Sequence, residues 1–483
     1  MPFRNEIEAF IRDFVKDLNE NTASVFAGAG FSIPAGFVNW SDLMSEIAQD
    51  LELNINVETD LVSLAQFHVN ENQTRSKINR KIIEEFTEDT EDTEETLNHK
   101  IIARLPISSV WTTNYDVLIE TAFTKANKVP DVKYKNEQLL SNKPKRDVVI
   151  YKMHGDASHP DDAIITKEQY EQYHQTHEPF INALTGELIT KTFLFIGFSF
   201  TDPNLDYILS RLNFRFSKNK RQHYCLVKRH ELGDYLNPDQ ASLDYNNRRQ
   251  QLVINDLKRY GIKSLMIDSF EEITDILHEI ERRFKKNTIF ISGSAESYEP
   301  YSRHEAVGFV HMLSKKIIEN NFRIVNGFGW GIGSSVINGS LEAIHEKPLK
   351  YSESQLVLKP FPQFESGNKK LSELWDEYRY NMISLSGISI FLFGSKNHDG
   401  EIITANGVIR EFEISKELGN VCIPIGCTGY AAKVISETVL DRVDEFFSDN
   451  EAAVKLIQQL NDTNEDLIDK VSLVIKILRL VTK

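Results

Sequence analysis

Trp111-Thr112-Thr113-Asn114-Tyr115-Asp116 marks the point where an apolar run gives way to amide and carboxylate side chains. Residues 107–112 read as a strand, so Asn114 and Asp116 fall at its carboxyl end, where open α/β sheets place their ligands. Asn and Asp also favour helix starts, and a helix over 117–126 is expected next, so a capping role stands beside the ligand role. The same arrangement recurs along the chain. Residues 148–153 form a strand ending in His154-Gly155, and 23–27 run into Gly28-Ala29-Gly30-Phe31-Ser32. Residues 192–196 end in Gly197-Phe198-Ser199-Phe200-Thr201-Asp202-Pro203, where Thr201 or Asp202 can also cap a helix beginning near Pro203.

Strands that each end in glycine or a polar motif predict a mainly parallel sheet with its chemistry along one edge, and 223–228 and 264–268 add two more strands. At the Gly28 turn the chain is expected to bend from strand into helix and aim amide N–H groups at an anion. Glycines let backbone approach a pyrophosphate, a buried amide can grip a ribose, and a histidine titrating near pH ~6.5 can move protons.

A chain of 483 residues exceeds the roughly 250–300 at which one core stops growing, so two domains are expected. The net charge of −16 argues against nucleic acid as a partner. Cys225, Cys422 and Cys427 are too few and too scattered for a disulfide framework or a paired-cysteine zinc site, so no metal is expected and a reducing cytoplasm fits. The first residues lack a basic segment followed by an apolar run, and no apolar run approaches the ~18 residues of a spanning helix, so neither export nor a membrane is expected. The acidic run 84–95 lacks calcium-loop spacing and reads as a solvated surface.

A capping box at Ser269-Phe270-Glu271-Glu272 starts an amphipathic helix ending in Arg282-Arg283-Phe284-Lys285-Lys286, which divides the chain into domains 1–286 and 287–483. A new strand at 288–291 leads into Ser292-Gly293-Ser294-Ala295, and 322–325 lead into Asn326-Gly327-Phe328-Gly329-Trp330-Gly331-Ile332-Gly333. The latter spacing is not the dinucleotide GxGxxG; it promises only a backbone that can approach a phosphate or ribose. Strands 388–393 and 421–425 complete a second parallel sheet, so the fold class is α/β with two Rossmann-like domains, each a mainly parallel sheet flanked by helices. Beyond residue 437 the pattern is helical, with apolar faces that pack on the body or on another subunit.

The residues of the first half resemble sirtuin-type NAD-binding domains. Gly28-Ala29-Gly30-Phe31-Ser32 matches GAGxS, Thr112-Thr113-Asn114-Tyr115-Asp116 matches TQNxD with Thr113 for the glutamine, and His154-Gly155 matches the catalytic HG. Gly197-Phe198-Ser199 matches the later glycine–serine loop. The second half is similar to SLOG nucleotide sensors, and the whole resembles the sirtuin–SLOG effectors of the bacterial Thoeris anti-phage system. The resemblance implies NAD+ hydrolysis to nicotinamide and ADP-ribose, with Asn114 and His154 catalytic and Gly28, Ala29, Gly30, Ser32, Asp116, Gly197 and Ser199 binding NAD+. NAD+ is then substrate and no further cofactor is implied. It also implies activation by a cyclic ADP-ribose isomer made by a TIR-domain partner and bound by Gly293, Ser294, Arg379, Lys396, Gly407 and Glu411. A homo-oligomer, a tetramer or larger, is the implied assembly. Arg379 as a planar fork and Lys396 as a point charge suit a pyrophosphate, whereas without the resemblance Arg379 and Glu411 read as an ordinary ion pair or surface residues. Deacylating sirtuins carry a four-cysteine zinc module between the HG and the later glycine loop; none lies between His154 and Gly197 here, which counts against a protein deacylase. A non-catalytic nucleotide sensor is the other alternative, disfavoured by the presence of both Asn114 and His154.

Overall fold

The computed structural model describes residues 3–86, 94–215, 219–365, 370–447 and 451–482. Part of the acidic run read as a solvated surface, 87–93, lies outside the described residues. The chain divides into two units, Met1–Glu281 and Arg282–Lys483. The division falls inside the helix Glu271–Lys286, whereas the sequence reading sets the boundary at that helix's end.

The first unit is built on strands β1 (Ala23–Ala27), β2 (Ser109–Thr112), β3 (Pro130–Lys133), β4 (Val148–Lys152), β5 (Thr192–Ile196), β6 (His223–Lys228) and β7 (Ile262–Ile267). They form one sheet in the order β3-β4-β2-β1-β5-β6-β7, every pair parallel. Strands β1 and β5 are buried at every residue, as strands covered by helices on both faces must be. Strand β2 lies on one side of β1 and β5 on the other, so β1 sits at the point where strand order reverses, and the loops after these strands open on the same edge. Phe26, Trp111, Phe180, Phe193 and Phe195 fill the core beneath, with Trp111 stacked on Tyr151 at 4.0 Å. A separate apolar cluster, from the helices Trp40–Asp50, Leu61–Asn72 and Ser76–Phe86, packs on Tyr115, Ala157 and Ala163 beyond the ends of β2 and β4.

The sequence reading finds six of these strands and misses β3. Strand β3 starts with a proline and holds Asp131 and Lys133, which are buried in an ion cluster with Arg146. Proline is tolerated there because β3 is an edge strand.

The second unit contains β8 (Thr288–Ser294), β9 (Arg323–Asn326), β10 (Leu356–Leu358), β11 (Ile388–Phe393), β12 (Ser395–His398), β13 (Glu401–Thr404) and β14 (Val421–Pro424). Five make a parallel sheet in the order β10-β9-β8-β11-β14, while β12 and β13 form an antiparallel hairpin beyond the end of β11. Two expectations change here. Strand β8 does not stop before Ser292; it runs on through Ser294, with Gly293 opposite Leu392 and Ser294 opposite Phe393. Gly293 is therefore a strand glycine, needed because a side chain would strike the Leu392 carbonyl. The short strand β10 and the β12–β13 hairpin, on which Lys396 lies, are not foreseen. Of the carboxyl-terminal helices, Lys470–Val481 buries Val474, Ile477 and Leu478 in this unit's own core, so that face packs on the body.

Candidate functional site

After β1 the chain does not enter an α-helix, as the sequence reading expects, but makes two single turns of 3-10 helix, Ala29–Phe31 and Ile33–Ala35. Its amides are already engaged: Gly28 N–H donates to Ile196 O at 2.9 Å, Gly30 N–H to Gly197 O at 3.0 Å, and Phe31 and Ser32 to Gly28 and Ala29 carbonyls. The glycines have a packing reason. A side chain on Gly28 would meet Phe198 and the Gly197 carbonyl, and one on Gly197, where φ is +63°, would meet Phe31 and Gly30. The loops after β1 and β5 thus lie backbone against backbone, and of the anion nest anticipated at Gly28–Gly30 the amides of Gly28 and Gly30 are taken by protein carbonyls.

Asn114 binds this closed turn. Its Nδ2 donates to Gly28 O at 3.1 Å and to Ser32 Oγ at 3.0 Å, and its own amide donates to Thr112 Oγ1. The Asn114 side chain is buried, yet its Oδ1 has no hydrogen-bond partner. A buried amide with its donor end fixed and its acceptor end unused is a group set up for an external hydroxyl. Asn114 lines a small cavity of about 30 Å³ together with Ala29, Ser32 and Asp116, closed on an apolar side by Phe37, Trp40, Leu43 and Phe86. Asp116 Oδ1 accepts the Leu118 N–H at 3.0 Å, so the capping role coexists with a place at the cavity. His99, tilted against Phe31 with ring centroids 4.1 Å apart, is pushed down to about 4 by burial despite the nearby Asp116.

His154 is buried and does not line that cavity, nor do Gly28, Gly30, Gly197 or the exposed Ser199. Its Nε2 lies 3.1 Å from Asp202 Oδ2, within ion-pair reach but without the alignment of a hydrogen bond. Its Nδ1 faces Tyr170 Oη at 3.4 Å. Burial opposes ionisation of Asp202, but the His154 ring and the amides of Leu205 and Asn204 hold its carboxyl below the usual range.

The loops carrying Asn114 and His154 are tied together by Lys152, whose side chain is fully buried. Its ammonium donates to Tyr115 O at 3.0 Å, Asp116 O at 2.6 Å and Asp156 Oδ2 at 2.5 Å, and lies 3.0 Å from Glu120 Oε1. Burial works against the charge, yet Glu120 and Asp156 hold Lys152 above its ordinary range. The same burial raises Glu120.

In the second unit Arg379, Gly407 and Glu411 do come together. Arg379 Nε stands 3.6 Å from Glu411 Oε1, longer than a hydrogen bond, and has no hydrogen-bond partner. The guanidinium lies over the Phe361 ring at 5.1 Å, and a side chain on Gly407 would crowd Arg379 Nη2 at 3.0 Å. Glu411 accepts a 2.5 Å bond from Ser292 Oγ, and burial raises its carboxyl above the ordinary range. Gly293 and Ser294 continue the same strand β8, with Ser294 Oγ donating to Ser395 O at 3.0 Å. Lys396, next to Ser395, is half-buried on β12.

Residues 108–252 match the family profile of a SIR2-like domain, and 272–481 match that of the Sir2- and TIR-associating SLOG family. Over 479 residues, covering 98% of both chains, the protein is 46% identical to the NAD(+) hydrolase ThsA of Bacillus cereus (strain MSX-D12). It is 42% identical over 98% of both chains to the NAD(+) hydrolase ThsA of Acinetobacter baumannii (strain 532279). A stretch covering 24% of this chain, and 11% of the other, is 30% identical to the Defense-associated sirtuin 2 of Bacillus subtilis. The chain belongs to the ThsA family of NAD(+) hydrolases. The SIR2-like match of this ThsA-family chain takes in Asn114, His154 and Gly197 but begins beyond the glycine turn after β1, and the SLOG match begins within the helix Glu271–Lys286.

Sequence reasoning missed Lys152, Asn204 and the second role of Asp202. Asn204, in the first turn of the helix Pro203–Arg215, is buried with an unpartnered Nδ2. Lys152 carried a signal, a lone cation in an otherwise apolar strand; Asp202 and Asn204 carried none beyond a capping motif. Among the described residues no helix is long and apolar enough to cross a membrane, and no three His, Cys, Asp or Glu side chains gather as a metal site.

Proposed function

We propose that this NAD(+) hydrolase cleaves the nicotinamide–ribose bond at the cavity lined by Asn114 and is switched on by a cyclic ADP-ribose isomer held at Arg379, Lys396 and Glu411. The observation that carries the first half is the unpartnered Oδ1 of buried Asn114, an acceptor suited to a ribose hydroxyl. In NAD+ the nicotinamide ring is cationic, so it departs neutral and leaves an oxocarbenium-like sugar. The barrier falls when ribose is held still, the ring is taken out of water and the developing charge is faced by acceptors. Asn114 positions the ribose and attacking water, Phe37, Trp40 and Phe86 supply the apolar wall for the ring, and Asp116 orients the carboxamide. His154 takes the proton from the ribose hydroxyl or from water. Ala29 and Ser32 border the same cavity, while Gly28, Gly30, Gly197 and Ser199 shape the loops that meet the rest of the dinucleotide.

For the second half, the unpartnered Arg379 Nε is a donor suited to an anion, and Glu411 an acceptor for ribose or adenine protons. Gly293, Ser294 and Gly407 border these groups. The Sir2- and TIR-associating description of the matching family supports a TIR-made signal, and the sirtuin match to a defence-associated protein supports NAD+ depletion against phage. We place this activity in the cytoplasm, in a homo-oligomer of four or more chains. A signal that binds the active arrangement more tightly than the resting one by about 1–3 kcal/mol raises turnover roughly 5- to 150-fold. Nicotinamide release from NAD+ by the purified full chain, with cyclic ADP-ribose isomers titrated in, tests both halves. No nicotinamide under any isomer removes the first, and isomers that bind without changing the rate remove the second.

A further inference from the structure

The two carboxylate oxygens of Asp202 have different neighbours. Oδ1 accepts the Leu205 N–H at 2.9 Å, the ordinary work of a residue that precedes a helix. Oδ2 stands 3.1 Å from Nε2 of His154. Capping explains the first contact and not the second: a cap needs one oxygen, and asparagine or serine supplies it as well as aspartate. The other groups facing the His154 ring are uncharged or distant. Tyr170 meets it with its hydroxyl at 3.4 Å, Tyr173 stands edge-on at 6.4 Å with its own hydroxyl committed to Met153 O, and His177 is stacked behind Tyr173 at 4.5 Å. Both tyrosine hydroxyls are pushed well above their ordinary range by burial and stay neutral.

We propose that Asp202 is a positioning residue for His154: its carboxylate keeps the proton on Nε2, leaves Nδ1 as the accepting nitrogen, and stabilises the imidazolium once a second proton arrives. The inference rests on His154 being the base. During hydrolysis water bonds through oxygen to the ribose carbon, nicotinamide leaves with the bonding pair, and the proton given up by water or hydroxyl rests on Nδ1 until solvent takes it. A carboxylate behind an imidazole fixes tautomer and orientation without itself being protonated. The present misalignment is no obstacle, since catalytic hydrogen bonds in unliganded sites are often poorly directed and tighten with substrate.

Asparagine separates the two duties, because it caps equally well but carries no charge. In the full chain, with NAD+ as substrate and cyclic ADP-ribose isomers present, Asp202→Asn is expected to lower kcat about 10²- to 10⁴-fold. KM and the melting temperature stay at wild-type values, and Asp202→Glu recovers part of kcat. Histidine-selective ¹⁵N NMR, assigned by the signal lost in His154→Ala, is expected to show the proton on Nε2 in the wild type and a tautomer mixture in Asp202→Asn. The proposal is overturned if Asp202→Asn keeps kcat within about twofold of wild type, or loses it only alongside a lower melting temperature or an equal rise in KM. An unchanged His154 tautomer in Asp202→Asn overturns it too. Wild-type turnover in His154→Ala is a different failure: it removes the base, not its partner.

Discussion

The carboxyl edges of the two parallel sheets leave different kinds of polar atom without a partner. In the first unit the buried cation Lys152 is enclosed by Asp156, Glu120 and two carbonyls; the atoms left without a hydrogen bond include Glu120 Oε1, 3.0 Å from that cation, and the neutral amide atoms Asn114 Oδ1 and Asn204 Nδ2, while His154 Nε2 faces Asp202 at 3.1 Å. In the second unit the atoms left over among the described residues are Tyr301 Oη and, on a cation, Arg379 Nε, held 3.6 Å from a buried carboxyl. The first edge suits a sugar and a ring that leaves neutral; the second suits an anion. Glycine loops are common to both edges and distinguish nothing, because in both they serve close backbone packing, Gly28 on Gly197 and Gly329 on Gly293.

The comparison breaks most directly at the neutral edge. Asn114→Ala and His154→Ala are each expected to lower NAD+ cleavage about 10²- to 10⁴-fold with the circular dichroism spectrum unchanged. Wild-type nicotinamide release from either would mean that the residue does not act on substrate.

Next comes the claim that charge at this edge is structural. Lys152→Met leaves Glu120 and Asp156 buried without their cation and should cost about 3–5 kcal/mol of stability, read by denaturant titration of the full chain. A loss under about 1 kcal/mol would show that the cluster is solvated.

At the cationic edge Arg379→Ala should weaken binding of a cyclic ADP-ribose isomer roughly 10- to 100-fold by calorimetry on the full chain, the range expected for lost hydrogen bonds to a charged group. Unchanged affinity would make Arg379 and Glu411 an ordinary ion pair.

The smallest effect is a pH dependence. Burial raises the Glu411 carboxyl above its ordinary 4.5, so the folded chain favours its protonated form. This group's contribution to stability is full below 4.5 and is lost as pH rises through the raised value. Glu411→Gln cannot ionise, so its melting temperature should fall less than wild type, or not at all, as pH is raised from 4.5. Parallel curves for the two proteins would place Glu411 in contact with water.

The sequence by itself determined the strands that form the core of each sheet and which motif ends each of them. Short runs such as Thr192–Ile196 and Ile388–Phe393 are apolar at nearly every position, which only burial on both faces explains, and the glycine or polar residue that follows marks where burial stops. Asn114, Asp116 and His154 were legible for that reason, as residues at strand ends. The strands it missed are β3, a charged edge, β10, a three-residue piece, and the largely exposed β12–β13 hairpin, where apolar patterning is weak. Only the tertiary structure decided who meets whom. Strand order puts β1 between β2 and β5, and from that follow the contact of Gly28 with Gly197 and the fixing of Asn114 by Gly28 and Ser32. Asp202 reads locally as a helix cap, and its cap bond to Leu205 is local; its approach to His154 depends on how the helices between β4 and β5 return the chain across the sheet. Periodicity records how deeply a residue is buried, whereas partners distant in sequence are chosen by packing, and the chemistry at both edges lies in those partners.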